Sequence, residues 1–404
     1  MTTSDFSSTA VHEAAERIRS GIVRTPTSRS RVLSNTLDAG VFLKMETRQT
    51  TGSYKERGAL NAMLAMSAQQ RARGVVTMSA GNHGQGVAYH GTRLGVETTV
   101  VMPETTPFLK VRRTRDFGAN VILAGETFDD AAEYATALAV ATGASVIHPY
   151  DDADVIAGQA TATLELLEDA GELDVILVPV GGGGLISGAV LAAEAAGSQA
   201  QIVGVQSSFY PSVAAAFFGA DVPGGPTIAE GIAVRKIGTL PQLLIRDRVG
   251  DVILVAEAAI ETAIAHLLEE EKLVVEGAGA AGVAALLSDP ARFAGRRVGT
   301  LLCGGNIDLG MLASVIVRHR MRSGRVVRLR VHMVDKPGEL ATVASAISDA
   351  RANVLDVAHH RVFGSISAKH AELDLTVEVE RAEDVPAIMA SIEARGFDVD
   401  LVRE

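Results

Sequence analysis

Short apolar runs recur along the first three quarters of the chain, separated by stretches with helical spacing. They are VFLKM at 41–45, VVTM at 75–78, TTVVM at 98–102, VILA at 121–124, VILVPV at 175–180, IVGV at 202–205 and VGTLLC at 298–303. Most are apolar at both odd and even positions, which predicts parallel strands covered by helices on both faces rather than half-exposed antiparallel ones. Several open into glycine-rich loops that run into the next helix: SAGNHGQG at 79–86, GGGGLISG at 181–188 and CGGN at 303–306. In open α/β sheets, ligands bind at that edge.

The pattern changes near residue 318. Arg318, Arg320, Arg322, Arg325, Arg328 and Arg330 crowd around Ser323 and Gly324, which reads as a helix end followed by a solvated linker. Beyond it, VVRLRVHMV alternates like a half-buried strand and DKPGEL turns into the helical ATVASAISDA. VLDVAHHRVF and AELDLTVEVE read as two more strands, VPAIMASIEARG as a helix and FDVDLV as a last strand. The order β-α-β-β-α-β predicts a ferredoxin-like domain over 326–404, with the boundary near 325. The larger region, 1–325, is expected to hold two α/β subdomains, the smaller inserted at about 50–150.

Composition narrows the function classes. With 404 residues, 47% of them hydrophobic, the chain can fill two or three domains, and 37 basic against 48 acidic residues leave a net charge of −11. That balance gives no reason to expect nucleic acid or an anionic membrane as partner. The one cysteine, Cys303, permits no internal disulfide, so a reducing compartment, the cytoplasm, is expected. The first residues carry Asp5, Glu13 and Glu16 without an apolar core, unlike a signal peptide. The strongly apolar uncharged stretch 175–193 is interrupted by Pro179 and four glycines, so no membrane segment is expected.

Three segments carry candidate chemistry. Ser53 and Glu56 have capping-box spacing, which predicts a helix starting at Ser53 with Lys55 in its first turn. The positive end of a helix dipole disfavours an ammonium there, and a lysine with suppressed charge can condense with a carbonyl cofactor, although an ordinary surface lysine has the same local sequence. Gly181, Gly182, Gly183 and Gly184 leave backbone N–H groups unobstructed beside a helix N-terminus, a natural phosphate site. The segment Ser79, Ala80, Gly81, Asn82 and His83 repeats the arrangement and suits a second anion such as a substrate carboxylate, or a plain turn. Gly277, Gly279 and Gly282 match G-x-G-x-x-G, but no acidic residue follows at about 20 positions, so close helix packing is expected there instead of a dinucleotide. His83, His90, His148, His359 and His360 show no zinc-ligand spacing, and no metal site is expected. His359 and His360 would point to opposite faces of a strand.

Lys55 in GSYKERGA, SAGNHGQGVA, GGGGLISG and CGGN, in this order and spacing, resemble the fold-type II (tryptophan synthase β-like) pyridoxal-phosphate enzymes, specifically the threonine ammonia-lyases or threonine dehydratases. The resemblance runs from about residue 10 to 320, and the C-terminal region looks like an ACT domain, with DKPGEL as its first turn. The resemblance implies that Lys55 carries pyridoxal 5'-phosphate covalently and takes the substrate's α-proton. It implies further that Asn82 bonds the ring's 3-oxygen, Gly181–Gly184 cradle the phosphate, and Ser79–His83 hold the substrate carboxylate. Cys303 stands where the family sets a serine or cysteine against the pyridine nitrogen. The implied reaction is β-elimination from L-threonine, with some L-serine, to a 2-oxoacid and ammonia.

Two departures from related serine racemases bear on this. The position before Gly81-Asn82, a serine in those relatives, is Ala80, so racemisation by that route is not expected. Their cation-binding carboxylates after the strand following the glycine loop are replaced by Gln206 and Ser212. The ACT-like region implies amino-acid feedback, with an effector such as isoleucine or valine near Gly338, Glu339, Leu340 and Asn353, and assembly into a homodimer or homotetramer. Serine- or 3-hydroxyaspartate-preferring lyases and a non-catalytic amino-acid sensor are the competing readings.

Overall fold

In the computed structural model, which describes residues 8–361 and 369–402, most of the doubly apolar runs are strands buried on both faces, whereas Asn120–Leu123, at the edge of its sheet, buries only Val121. Val75–Met78 and Val175–Pro179 are buried at every position. The acidic start including Asp5, and residues 362 and 363 of the expected VLDVAHHRVF strand, lie outside the described residues.

A six-stranded sheet runs in the order Thr27–Arg29, Gly40–Lys44, Arg297–Leu301, Val175–Pro179, Gln201–Ser207, Asp251–Val255, parallel throughout except for the first strand. A parallel four-stranded sheet, Asn120–Leu123, Thr98–Met102, Val75–Met78, Ser145–Val146, is inserted in the chain between its second and fourth strands. One face of this smaller sheet packs Val76, Met78 and Val101 against Ala131, Ala135 and Ala139 of helix Phe128–Thr142; the other sets Val100 and Met102 against Ala88 and Val111.

The chain divides into two units, Met1–Asp308 and Leu309–Glu404. The division precedes the boundary expected near 325. Helix Leu309–Arg322 belongs with the second unit because it packs on strand Val326–Val334 and because Arg320 pairs with Glu378 on strand His370–Glu378. The arginines read as a solvated linker are thus partly paired: Arg330 grips Asp374 through two bonds of 2.7 and 3.0 Å.

The second unit is β-α-β-β-α-β, with antiparallel sheet order Asn353–His360, His370–Glu378, Val326–Val334, Asp398–Val402. Its core joins Leu329, Val331, Leu373 and Leu375 of the sheet to Ile347 and Ile392 of the two helices. Among the described residues, no helix is long and apolar enough to cross a membrane.

Candidate active site

Lys55 is the first residue of helix Lys55–Ala65, so its side chain leaves the first turn as expected, but the capping box does not form. The Ser53 hydroxyl donates to the Cys303 carbonyl at 3.1 Å, and the Glu56 carboxylate accepts from the backbone N–H groups of Thr50 and Thr51 at 3.3 and 2.8 Å. Ser53 is drawn away because it bridges to Gly304 at the end of strand Arg297–Leu301, which ties the lysine helix to the large sheet. Glycine sets the height of this helix. A Cβ on Gly158 of helix Ala153–Ala170 would lie 2.6 Å from the Gly58 Cα, and one on Gly86 would lie 3.1 Å from the Glu56 Cα, so both neighbours approach to backbone contact.

The Lys55 amine donates to the Pro149 carbonyl at 2.8 Å and lies 5.4 Å from the centre of the Tyr54 ring. Burial pushes its pKa down to about 8, against the opposing influence of Cys303 and Glu276. At pH 7 roughly a tenth of such lysines hold an unprotonated, nucleophilic amine, several hundred-fold more than for an ordinary lysine.

The segment after Pro149 leads to the glycine loop. Gly183 has φ +97° and caps helix Gly184–Ala195. A Cβ on Gly182 would stand 2.4 Å from the Tyr150 ring, and one on Gly183 would stand 2.5 Å from the Pro241 side chain. Among the described residues, no protein acceptor takes the N–H groups of Gly181–Gly184, and the fully buried Ser187 hydroxyl in the helix's first turn has no partner. Unpaired buried donors at a helix N-terminus are what an anion would satisfy.

Opposite lies the loop before helix Asn82–Leu94. The Asn82 amide donates to Glu276 at 2.7 Å and accepts from Asn306 at 2.8 Å; Asn306 also donates to the Thr51 carbonyl at 2.7 Å. The Gly81 N–H donates to the Ser79 hydroxyl at 3.2 Å. Burial drives the His83 pKa down to about 3, so the ring is neutral; its Nε2 faces the Ile147 carbonyl at 3.1 Å. His83 can therefore offer an anion its backbone N–H but not a charge. Cys303 is buried, and burial together with the nearby Glu276 pushes its thiol well above the usual range, which keeps it a neutral, weak partner and not a nucleophile.

Lys55, Asn82, Cys303 and the glycine loop thus converge from four distant stretches of chain, and they fit pyridoxal phosphate. They present an amine that could take its aldehyde, free N–H groups that could take its phosphate, and a neutral thiol that could face its ring nitrogen. Asn306, the last residue of CGGN, and Glu276 and Tyr150, which no motif in the sequence singled out, complete the surroundings. Glu276 directly precedes the G-x-G-x-x-G stretch, whose glycines serve packing. A Cβ on Gly277, Gly279 or Gly282 would come within 2.4 Å of the Ile228 carbonyl, 2.7 Å of the Gly304 carbonyl or 2.0 Å of the Thr300 hydroxyl. Gln206 and Ser212 bond each other at 2.9 Å, and Ser212 donates to the Gly181 carbonyl at 3.0 Å, so this pair braces the glycine loop. Among the described residues, no cluster of His, Cys, Asp or Glu could hold a metal ion.

In the second unit, Gly338 (φ +96°) caps helix Glu339–Asp349, with Leu340 exposed in its first turn. Asn353 does not join them. It begins the strand after that helix, so the helix length of about 16 Å lies between, and its amide donates to Glu378 at 3.4 Å. The expected set of four effector residues is not one site within the chain.

Comparison with known proteins agrees with this arrangement. Residues 18–304 match the family model described as pyridoxal-phosphate dependent enzyme, and residues 327–397 match the ACT domain. An L-threonine ammonia-lyase of Thermotoga maritima is 40% identical over 395 residues, covering 97% of this chain and 98% of that protein. One from Geobacter sulfurreducens is 39% identical over 398 residues, 98% and 99% of the two chains. Among solved structures, the T.th. threonine deaminase aligns with 38% identity and a TM-score of 0.70 over 75% of this chain and 99% of that one. Maize serine racemase aligns with 34% identity and a TM-score of 0.72 over 78% and 98%.

Proposed function

We propose that this chain, which belongs to the pyridoxal-phosphate-dependent enzymes and among them to the threonine ammonia-lyases, converts L-threonine to 2-oxobutanoate and ammonia, and L-serine less efficiently to the corresponding 2-oxoacid. The observation that carries the reading is Lys55: a half-buried amine with its pKa lowered to about 8, joined through Pro149 and Tyr150 to a glycine cradle with unpaired donors. We assign residues up to 308 to catalysis and the ACT unit to regulation.

When bound, pyridoxal phosphate supplies the electron sink for the α-carbanion. The protein's part is geometry and proton traffic. Gly181–Gly184 would hold its phosphate, and Asn82 would donate toward the ring's 3-oxygen. The N–H groups of the Ser79–His83 loop hold the substrate carboxylate, which sets the Cα–H bond toward Lys55. The Lys55 amine takes the α-proton, the β-hydroxyl departs as water, and the released enamine hydrolyses to the 2-oxoacid and ammonia. Neutral Cys303 would face the ring nitrogen as a weak partner unable to keep it protonated, a setting that would favour elimination over transamination. Ala80 offers no hydroxyl to return a proton from the other face, which supports elimination over racemisation.

The test is direct. Purified protein is expected to absorb in the visible and to make 2-oxobutanoate from L-threonine, with L-serine turned over at lower kcat/KM and no D-serine accumulating. Bound cofactor with threonine untouched would overturn the substrate assignment, and protein that binds no pyridoxal phosphate would leave the amino-acid sensor as the reading.

For the ACT unit, the helix start at Gly338, Glu339 and Leu340 suits an amino-acid carboxylate. Isoleucine is expected to move threonine saturation to higher concentration and valine to reverse it; threonine kinetics that stay unmoved across cellular isoleucine levels would remove the assignment. A cytoplasmic homodimer or homotetramer completes the reading. It is supported by the lone cysteine and by the exposed apolar side chains Leu309, Met311 and Val317 on helix Leu309–Arg322.

A further inference from the structure

Glu276 is a half-buried carboxyl within the catalytic centre that the reaction as derived does not use. Its Oε1 accepts the Asn82 amide at 2.7 Å, and a Cβ on Gly304 would fall 2.3 Å from the same oxygen, so glycine at 304 makes room for it. Burial pushes this carboxyl upward, against hydrogen bonds from Asn82 and from the Asn306 backbone that favour its charged form.

The chain of bonds ending at Glu276 decides which way the Asn82 amide faces. A backbone carbonyl can only accept, so the atom of Asn306 that meets the Thr51 carbonyl is its nitrogen. The second hydrogen of that nitrogen points to Asn82, so the Asn82 atom there is its oxygen. The Asn82 nitrogen must then lie on the Glu276 side, where a carboxylate oxygen can take one of its hydrogens and leave the other free. With Glu276 removed, that side of the amide loses its acceptor.

We propose that Glu276 is a positioning residue: together with the Thr51–Asn306 anchor it locks the Asn82 amide so that a donor, not an acceptor, faces the cofactor's 3-oxygen. The inference rests on the assignment of Asn82 to that oxygen. A donor there stabilises the ionised 3-oxygen, whereas a flipped amide would set oxygen against oxygen.

The test compares holoenzymes of wild type, Glu276→Gln, Glu276→Leu, Asn82→Ala and the Glu276→Leu/Asn82→Ala pair by visible absorption and by kcat and KM. Glu276→Leu is expected to shift absorbance from the long-wavelength band toward the short-wavelength one and to lower kcat about tenfold, the effect of a lost or reversed hydrogen bond near 1.4 kcal/mol. Glu276→Gln, which keeps an oxygen to accept from Asn82, is expected to retain the wild-type spectrum. In the Asn82→Ala background, Glu276→Leu is expected to change the spectrum no further. A Glu276→Leu spectrum like wild type, while Asn82→Ala shifts the bands, would overturn the role of Glu276 alone. Wild-type bands in Asn82→Ala would instead overturn the Asn82 assignment. A loss of stability in Glu276→Leu with unchanged bands would mark the residue as structural.

Discussion

Lys55→Ala is expected to abolish turnover of L-threonine, lowering kcat by at least about 10⁴-fold, the upper range for loss of a positioned acid–base group, and to remove the visible band of covalently held cofactor. Among the other lysines, Lys44 is fully buried and already bonded to Glu165 at 2.6 Å, and Lys110 pairs with Glu230. The lowered pKa adds a second, independent readout on wild-type apoprotein. An amine titrating at about 8 is a free base above that pH and loses nucleophile tenfold per unit below it. The rate at which apoprotein takes up pyridoxal phosphate covalently should therefore rise with pH to a plateau with a midpoint near 8, well below the 10.5 of an ordinary lysine. A midpoint near 10.5 would mean that burial does not suppress the charge, and a visible band surviving in Lys55→Ala would place the attachment elsewhere.

Why Lys55, Asn82, Cys303 and the glycine loop were legible in the sequence while Glu276 and Tyr150 were not has a physical basis. Strands such as Val175–Pro179, buried on both faces, need apolar side chains at every position, and the glycine loop after it needs residues without Cβ, so both leave local marks. Thr27–Arg29 and Ser145–Val146 are two or three residues long, mostly exposed or half-buried at sheet edges, and leave none. Asp251–Val255 is a different case: an apolar run is present, but only Val255 is fully buried there. The capping box at Ser53 did not form because spacing shows only which bonds are possible locally, while the Ser53 hydroxyl donates to the Cys303 carbonyl 250 residues away and accepts from the Lys55 N–H, and Glu56 turns to the Thr50 and Thr51 N–H groups. Glu276 and Tyr150 belong to the same class of partners, since each gains its meaning from a segment remote in sequence. The division at 308 moved for this reason as well, because Arg320 is held by Glu378 across the C-terminal sheet.

The largest loss of stability is expected from Arg57→Leu, two residues after Lys55. Arg57 is wholly buried, and its fork gives bonds of 2.7 and 2.8 Å to Glu46 and two of 2.8 Å to Glu165, with Thr161 at 3.1 Å. Lys44 completes the network through Glu165 and the Thr25 carbonyl. Forming such a cluster costs desolvation that its own attraction barely offsets, but removing one member strands the others, at about 3–5 kcal/mol. Arg57→Lys should recover only part of this, because a point charge cannot reproduce a two-sided fork. Burial alone would raise the Glu46 carboxyl; the Arg57 charge and bonds overcome it and hold it below its usual 4.5. In wild type that stabilisation is present above pH 4.5 and is lost as pH falls through the lower folded value. In Arg57→Leu, burial prevails and the Glu46 carboxyl moves up, so folding takes up a proton and the variant gains on acidification relative to wild type. Urea unfolding should therefore show the widest gap between the two at about pH 7–8 and a narrower one at about pH 5. A gap under about 1 kcal/mol at pH 7, the range of an exposed pair, or one that widens toward pH 5, would show that the network does not hold the lysine helix in this way. Replacing Arg57, Glu46 and Glu165 together with apolar residues should cost less than Arg57→Leu alone, because no charge is then left buried without a partner.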